Sequence, residues 1–254
     1  MMPTPVLNGY DSDAAYHFSR MSSSDMTLRG VINDLIVGLK TDELWSKVKA
    51  LCPVCDNPSD SLLDIKGAHD AININSCGFI ADRGFTVTPT GGKYIDSNFI
   101  ANILARTSHC LFAYIRTVPS NYSYILGAGY STTDQISIQN DTTGGKVRYF
   151  GDIWGTPSEP NLYPAPGFIG GARINDVELL RINDVESSYT KPSPSGAALT
   201  INTIYVGNFN GFTPLIPDGV QFACWGFAEG LTSTELSNLR NRIQTYMVAR
   251  GAAV

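Results

Sequence analysis

Apolar residues along this chain change period once, from helical spacing to short alternating runs. In "DSDAAYHFSRM" a capping Asp is followed by Ala15, Phe18 and Met21 along one side. "SSSDMTLRGVINDLIVGLK" opens with Ser and Asp caps, and Leu28, Val31, Ile32, Leu35, Ile36 and Leu39 recur at helical intervals. "TDELWSKVKAL", with Thr41 as cap, sets Leu44, Trp45, Val48 and Leu51 on one stripe. The spacing predicts three short amphipathic helices, closed by Pro53 and the run "DNPSDS".

After about Ser76 the pattern becomes strand-like. Runs such as "GFTVTP", "HCLFAYIRTV", "SYILGAGY", "DQISIQND", "KVRYFGDIW" and "VQFACWGFAEG" alternate with turn clusters. Many short strands at even spacing mark a sandwich or jelly roll. Trp225 falls inside an alternating strand and is expected in its core. One helix closes the chain: Thr232 and Glu235 form a capping box, Leu236, Leu239, Ile243, Tyr246 and Met247 its apolar stripe, and Gly251 lies past its end.

The six letters "RINDVE" occur twice, at residues 173–178 and 181–186. Gly170 to Ile174 and Val177 to Ile182 alternate as strands do, and each Asn-Asp falls where the chain should reverse. The repeat therefore reads as strand, turn, strand, turn. A rival reading gathers Asp176, Glu178, Asp184 and Glu186 around a Ca²⁺.

Composition narrows the function classes. A chain of 254 residues, 43% hydrophobic, is long enough for a sizeable core and reads as globular. Its net charge is −5 and no window carries a basic stripe, which argues against nucleic-acid binding by phosphate neutralisation. The start shows no basic region followed by an apolar one, so no secretory signal is expected, and no apolar stretch is long enough to insert in a membrane. Five scattered cysteines argue against a disulfide framework.

Candidate chemistry is sparse. "CPVC", Cys52 to Cys55, has no second such pair, although His69 and Cys77 could complete a zinc set. Placed at a helix end before a loop, it reads as two free, partly buried thiols. "GAGYS" lacks the third glycine of a dinucleotide fingerprint. His17 and His109 read as packing residues. A hydrolytic sandwich would place paired carboxylates on one strand, as ExDxE or ExDxxE, and neither occurs. No catalytic residue, metal or cofactor is therefore expected. The loop "GDIWGTPSEPNLYPAPGF", Gly151 to Phe168, offers the aromatic faces of Trp154 and Tyr163 beside Asp152 and Asn161. Sugars stack their C–H faces on such rings, and these four residues are the candidate carbohydrate contacts.

The order of features resembles a family of bacteriophage and prophage structural proteins. The resemblance rests on "DAAYHFSRM…RGVINDLIVGLKTDELWSKVKAL", then "GAHDAININ", "FIADRGFTVTPTGGKYIDSNF", "IYVGNFNG" and "GFAEGLTSTELSNLRNRIQTYM". It covers nearly the whole chain through turn and core residues, and so transfers no catalytic ones. It implies an all-β fold: an antiparallel concanavalin A-like (laminin G-like) jelly-roll sandwich after a short α-helical N-terminal segment, closed by a C-terminal helix. The corresponding division is a helical attachment segment at 1–55 and the jelly roll at 56–254. The implied role is a non-enzymatic virion structural protein (decoration, fibre or tail-associated), assembled in the bacterial host cytoplasm. Its partners would be other virion proteins, further copies of itself in a homo-oligomer, and host cell-surface polysaccharide. The alternative is a polysaccharide-degrading tail enzyme, a depolymerase.

Overall fold

The structure, a computed structural model, describes residues 9–129, 135–141, 145–151, 161–190, 199–210 and 216–254. Two helices open it, α1 (Ser12–Arg20) and α2 (Met26–Thr41), and α3 (Ser233–Ala249) closes it. Each begins at a side-chain cap that accepts an otherwise orphaned N–H: Asp11 from Asp13, Asp25 from Thr27, and Thr232 from Glu235. In α3 the Glu235 carboxylate bonds back to the Thr232 N–H, completing the expected capping box. No helix among the described residues is long and apolar enough to cross a membrane.

The third expected helix does not form. Thr41 is the last residue of α2 rather than a cap, the N–H groups of Leu44 and Trp45 both close on the Leu39 carbonyl, and Glu43 turns at φ 59°. Val48–Pro53 is a strand, β1. Apolar residues at 44, 48 and 51 fit a helical stripe, but the run from Val48 to Val54 is apolar at nearly every position, as a strand buried on both faces must be. The "CPVC" motif thus sits at the end of a strand, its two thiols are free and almost wholly buried rather than partly so, and the other three cysteines are free and buried too. Burial pushes the Cys55 thiol far above its ordinary range, so it is inert.

The remaining strands are β2 (Ile72–Ile74), β3 (Gly78–Ile80), β4 (Gly84–Thr86), β5 (Tyr94–Ile100), β6 (Ser108–Ile115), β7 (Ser123–Ala128) and β8 (Ile136–Asp141). They continue with β9 (Lys146–Phe150), β10 (Asn161–Leu162), β11 (Gly167–Ile174), β12 (Val177–Ile182), β13 (Val185–Thr190), β14 (Thr203–Val206) and β15 (Gln221–Ala228). Among the described residues they form two antiparallel sheets. One runs β13-β12-β11-β6-β15-β4-β3, with β1 also on β15; the other runs β10-β9-β8-β7-β14-β5-β2. The fold is an antiparallel β-sandwich, as expected.

The centre of the eight-stranded sheet, β6 and β15, is buried on both faces. Leu111, Ala113 and Ile115 of β6, with Phe222, Trp225 and Phe227 of β15, pack into the inter-sheet core. Their neighbours Cys110, Phe112, Tyr114 and Cys224 pack outward beneath Phe18 of α1, Ile32 and Ile36 of α2, and Leu239, Ile243 and Tyr246 of α3. The Arg242 guanidinium of α3 donates two hydrogen bonds to Asp42, at the end of α2, at 2.8 and 2.9 Å. His17 lies in this layer; burial and the nearby Arg20 cation lower its pKa to about 4, so it packs as a neutral ring.

The doubled "RINDVE" builds two equivalent hairpins. Asn175-Asp176 and Asn183-Asp184 are two-residue turns, with Asn at φ 52° and 51°, the left-handed region Asn tolerates. In each copy the Arg pairs with the Glu five residues on. Arg173–Glu178 (2.9 Å) is wholly buried, whereas Arg181–Glu186 (2.7 Å) is partly exposed. Asp184 is held by Arg240 at 2.8 Å. Glu178, Glu186 and Asp184 are thus each answered by a different arginine, and the described residues contain no group of three or more His, Cys, Asp or Glu that could hold a metal ion.

One sequence in two environments separates burial from chemistry. Arg173→Ala strands Glu178 in the core and is expected to cost about 3–5 kcal/mol in urea denaturation, against about 1 kcal/mol or less for Arg181→Ala. Equal costs would contradict this account.

Candidate functional site: the outer face of the seven-stranded sheet

No described helix packs on the outer face of the seven-stranded sheet. Its strands turn Ile95, Leu126, Ile136, Ile138, Val147 and Val206 into the core. Period-two alternation sends their partners the other way. Along β8 and the residue before it, Gln135, Ser137, Gln139 and Asp141 form a row at every second position. The ladders place Tyr124 and Arg148 on either side of Gln139, Gly127 beside Ser137, and Tyr205 beside Gly127. A register shift between Tyr124 and Leu126 lets Ile125 and Leu126 both enter the core while Tyr124 faces out.

Two aromatic pairs lie on this face. Tyr124 stacks on Phe209 with centroids 4.5 Å apart and planes at 28°, and Tyr94 meets Tyr205 at 4.5 Å. The Phe209 ring roofs a floor made of glycine. A Cβ at Gly127 would stand 2.7 Å from Phe209, and one at Gly129 would meet both Phe209 (2.8 Å) and the Gln135 backbone (2.9 Å). Burial raises the Tyr124 and Tyr205 hydroxyls well above their ordinary pKa, and a hydrogen bond with Tyr94 adds to this at Tyr205. Both stay neutral phenols.

The row on β8 is buried yet incompletely satisfied. Gln135, Ser137 and Gln139 are at most 1% exposed, and Gln135 Nε2 and Oε1, Ser137 Oγ and Gln139 Nε2 have no hydrogen-bond partner. Asn208 Oδ1, next to Phe209 in sequence, is unpartnered too. Each such group costs on the order of 1–3 kcal/mol. A face shaped for stability alone would carry apolar residues there. Amide and hydroxyl groups beside aromatic faces, with Asp141 and Arg148 neutralising each other at 2.5 Å, suit an uncharged ligand rich in hydroxyls.

The four contacts expected from sequence fall at one edge of this face or beyond the described residues. Asn161 is on the edge strand β10, opposite Arg148. Tyr163 is 74% exposed, with the Lys146 ammonium 5.7 Å from its ring centre. Trp154 and Asp152 lie outside the described residues. Sequence reasoning missed Gln135, Ser137, Gln139, Tyr124, Tyr205 and Phe209. A signal existed in "DQISIQND", whose alternation is polar on one face, and in Gly127 and Gly129 of "GAGYS". Neither distinguishes a ligand face from an ordinary solvated one.

No family model matches the sequence, and no curated protein matches it. Solved structures do match the fold. A mutant Trypanosoma rangeli sialidase with trans-sialidase activity is 12% identical, TM-score 0.55, over 86% of this chain and 39% of that one. The botulinum neurotoxin serotype C1 binding domain is 13% identical, TM-score 0.56, over 78% and 52%. Domain 4 of a GH43 extracellular arabinanase from Geobacillus stearothermophilus, solved with arabinotriose, is 16% identical, TM-score 0.53, over 76% and 98%. This chain spans about two fifths of the sialidase and half of the neurotoxin domain. At such identities the likeness establishes the sandwich fold.

If the Ser137 hydroxyl is kept for a ligand, Ser137→Ala should stabilise the free protein by about 1 kcal/mol in urea denaturation, since an unpaired buried group is removed. Destabilisation by that amount would show the hydroxyl to be satisfied within the fold.

Proposed function

We propose that this chain is a non-enzymatic carbohydrate-binding protein of a phage particle, and that it seats an uncharged glycan on the outer face of its seven-stranded sheet. The observation carrying the binding part is the β8 row, whose polar atoms are buried without partners beside the Tyr124–Phe209 stack. The sugar enters as the Phe209 ring leaves its glycine floor. It exchanges that aromatic roof for a C–H face against Tyr124 and bonds its hydroxyls to Gln135, Ser137 and Gln139. Asn161 and Tyr163 extend the surface to the sheet edge. Support from the fold is that arabinotriose occupies the similar arabinanase domain. The virion role rests on the sequence resemblance and the hydrophobically striped helical start.

Likeness to a sialidase keeps a depolymerase in view. Among the described residues, the acids on the face favour binding. Asp141 on β8 is engaged by Arg148, and Asp96 on β5 stands three strands away, roughly 14 Å at sheet spacing. Glycosidase carboxyls lie about 5–10 Å apart.

Calorimetry against panels of neutral and acidic oligosaccharides tests this reading. A neutral glycan should bind, with affinity falling about 10- to 100-fold in Tyr124→Ala and Gln139→Ala, and no reducing ends should be released from capsule or lipopolysaccharide. Absence of binding across both panels, or release of reducing ends, would overturn it, and absence of the chain from purified particles by mass spectrometry would remove the virion role.

A further inference from the structure

Sandwich edges expose unpaired backbone groups, and among the described residues each edge but one is kept short or covered. In the seven-stranded sheet the edge strands β10 and β2 have two and three residues. In the eight-stranded sheet β3 has three. The outer side of β1 is sealed, because Leu51 N–H donates to the Asp64 carboxylate, Ile65 N–H to the Leu51 carbonyl, and Cys55 N–H to the Ser61 hydroxyl. The exception is β13. Its six residues pair with β12 without a register shift, from Val177↔Thr190 to Ile182↔Val185, and among the described residues nothing bonds its other side. It has no proline, lysine or bulge, the usual guards of an open edge. Its single charge, Glu186, is occupied by Arg181.

The register of the hairpin fixes which groups point outward. A two-residue turn at Asn183-Asp184 closes on a hydrogen-bonded pair, Ile182 with Val185, so Val185, Ser187 and Tyr189 bond to β12. The Asn183 N–H accordingly reaches the other way, to the Phe168 carbonyl. Glu186, Ser188 and Thr190 are left with N–H and C=O directed outward. We propose that two copies of this chain join through β13, antiparallel about a two-fold axis at Ser188, into one continuous sheet. This register opposes Ser188 to its own copy and Glu186 to Thr190 of the other chain, giving about six backbone hydrogen bonds, two per close pair. Centring on Glu186 would set two carboxylates face to face, and centring on Ser187 would unite fewer outward groups. A two-fold normal to the sheet keeps the helical layers of both copies on one side and the outer faces of both seven-stranded sheets on the other, so the dimer presents two ligand faces in the same direction.

Sedimentation equilibrium on the full chain should find a dimer in the micromolar range. Ser188→Pro removes an N–H that the monomer does not use, and Ser188→Lys opposes two ammonium groups; both should yield monomers with unchanged Tm. In Ser188→Cys the opposed Cα atoms would be about 5.5 Å apart, within disulfide reach, so mild oxidation should cross-link the dimer. A monomer at all concentrations overturns the proposal. So does a dimer that survives both Ser188→Pro and Ser188→Lys, or one that Ser188→Cys does not cross-link.

Discussion

The architecture depends on one sheet being buried twice. In β6 and β15 successive side chains enter two different cores, so neither strand has a face for water. That requirement explains why amphipathic helices flank the strands on both sides in sequence. Without Phe18, Ile32, Ile36, Leu239 and Ile243 above them, Phe112, Tyr114 and Cys224 would be exposed together. At roughly 25 cal/mol per Å² of apolar surface, exposing such a face would cost more than a domain of this size has to spare. The helices thus complete the sandwich from outside, and the second sheet keeps an outer face without a helical cover. The proposed ligand site lies on the face the core does not need.

Buried polar groups occur on both sides of that division. Inside, even the buried charges of Arg173 and Glu178 are paired at 2.9 Å, as a low-dielectric interior demands. On the outer face, Gln135, Ser137 and Gln139 keep amide and hydroxyl atoms unsatisfied under an aromatic roof. Unpaired buried atoms also occur away from this face, at both ring nitrogens of His17 and at Trp225 Nε1, so the β8 row is singled out by its place beside the Tyr124–Phe209 stack.

Much of the fold was legible because its signals are local. The Asp25 cap and the Thr232–Glu235 box mark where helices begin, and Asn175 and Asn183 mark where strands reverse. The segment from Leu44 to Val54 misled for a physical reason: a strand buried on both faces loses the alternation that identifies strands, and its apolar residues then fit a helical period as well. The candidate site was less legible. Asn161 and Tyr163 were expected from a loop rich in aromatic residues and lie at the sheet edge, but the β8 row looks like any solvated strand face. What sets it apart is the glycine floor of β7 and the Phe209 ring brought onto it by a distant segment.

Native-state hydrogen exchange tests the central claim, that the helices and the eight-stranded sheet share one core. The slowest amides of α2 and α3 should exchange with the same opening free energy as those of β6 and β15, because none can open without exposing the others. Helices that exchange at markedly lower free energy, over a sheet that stays protected, would contradict it.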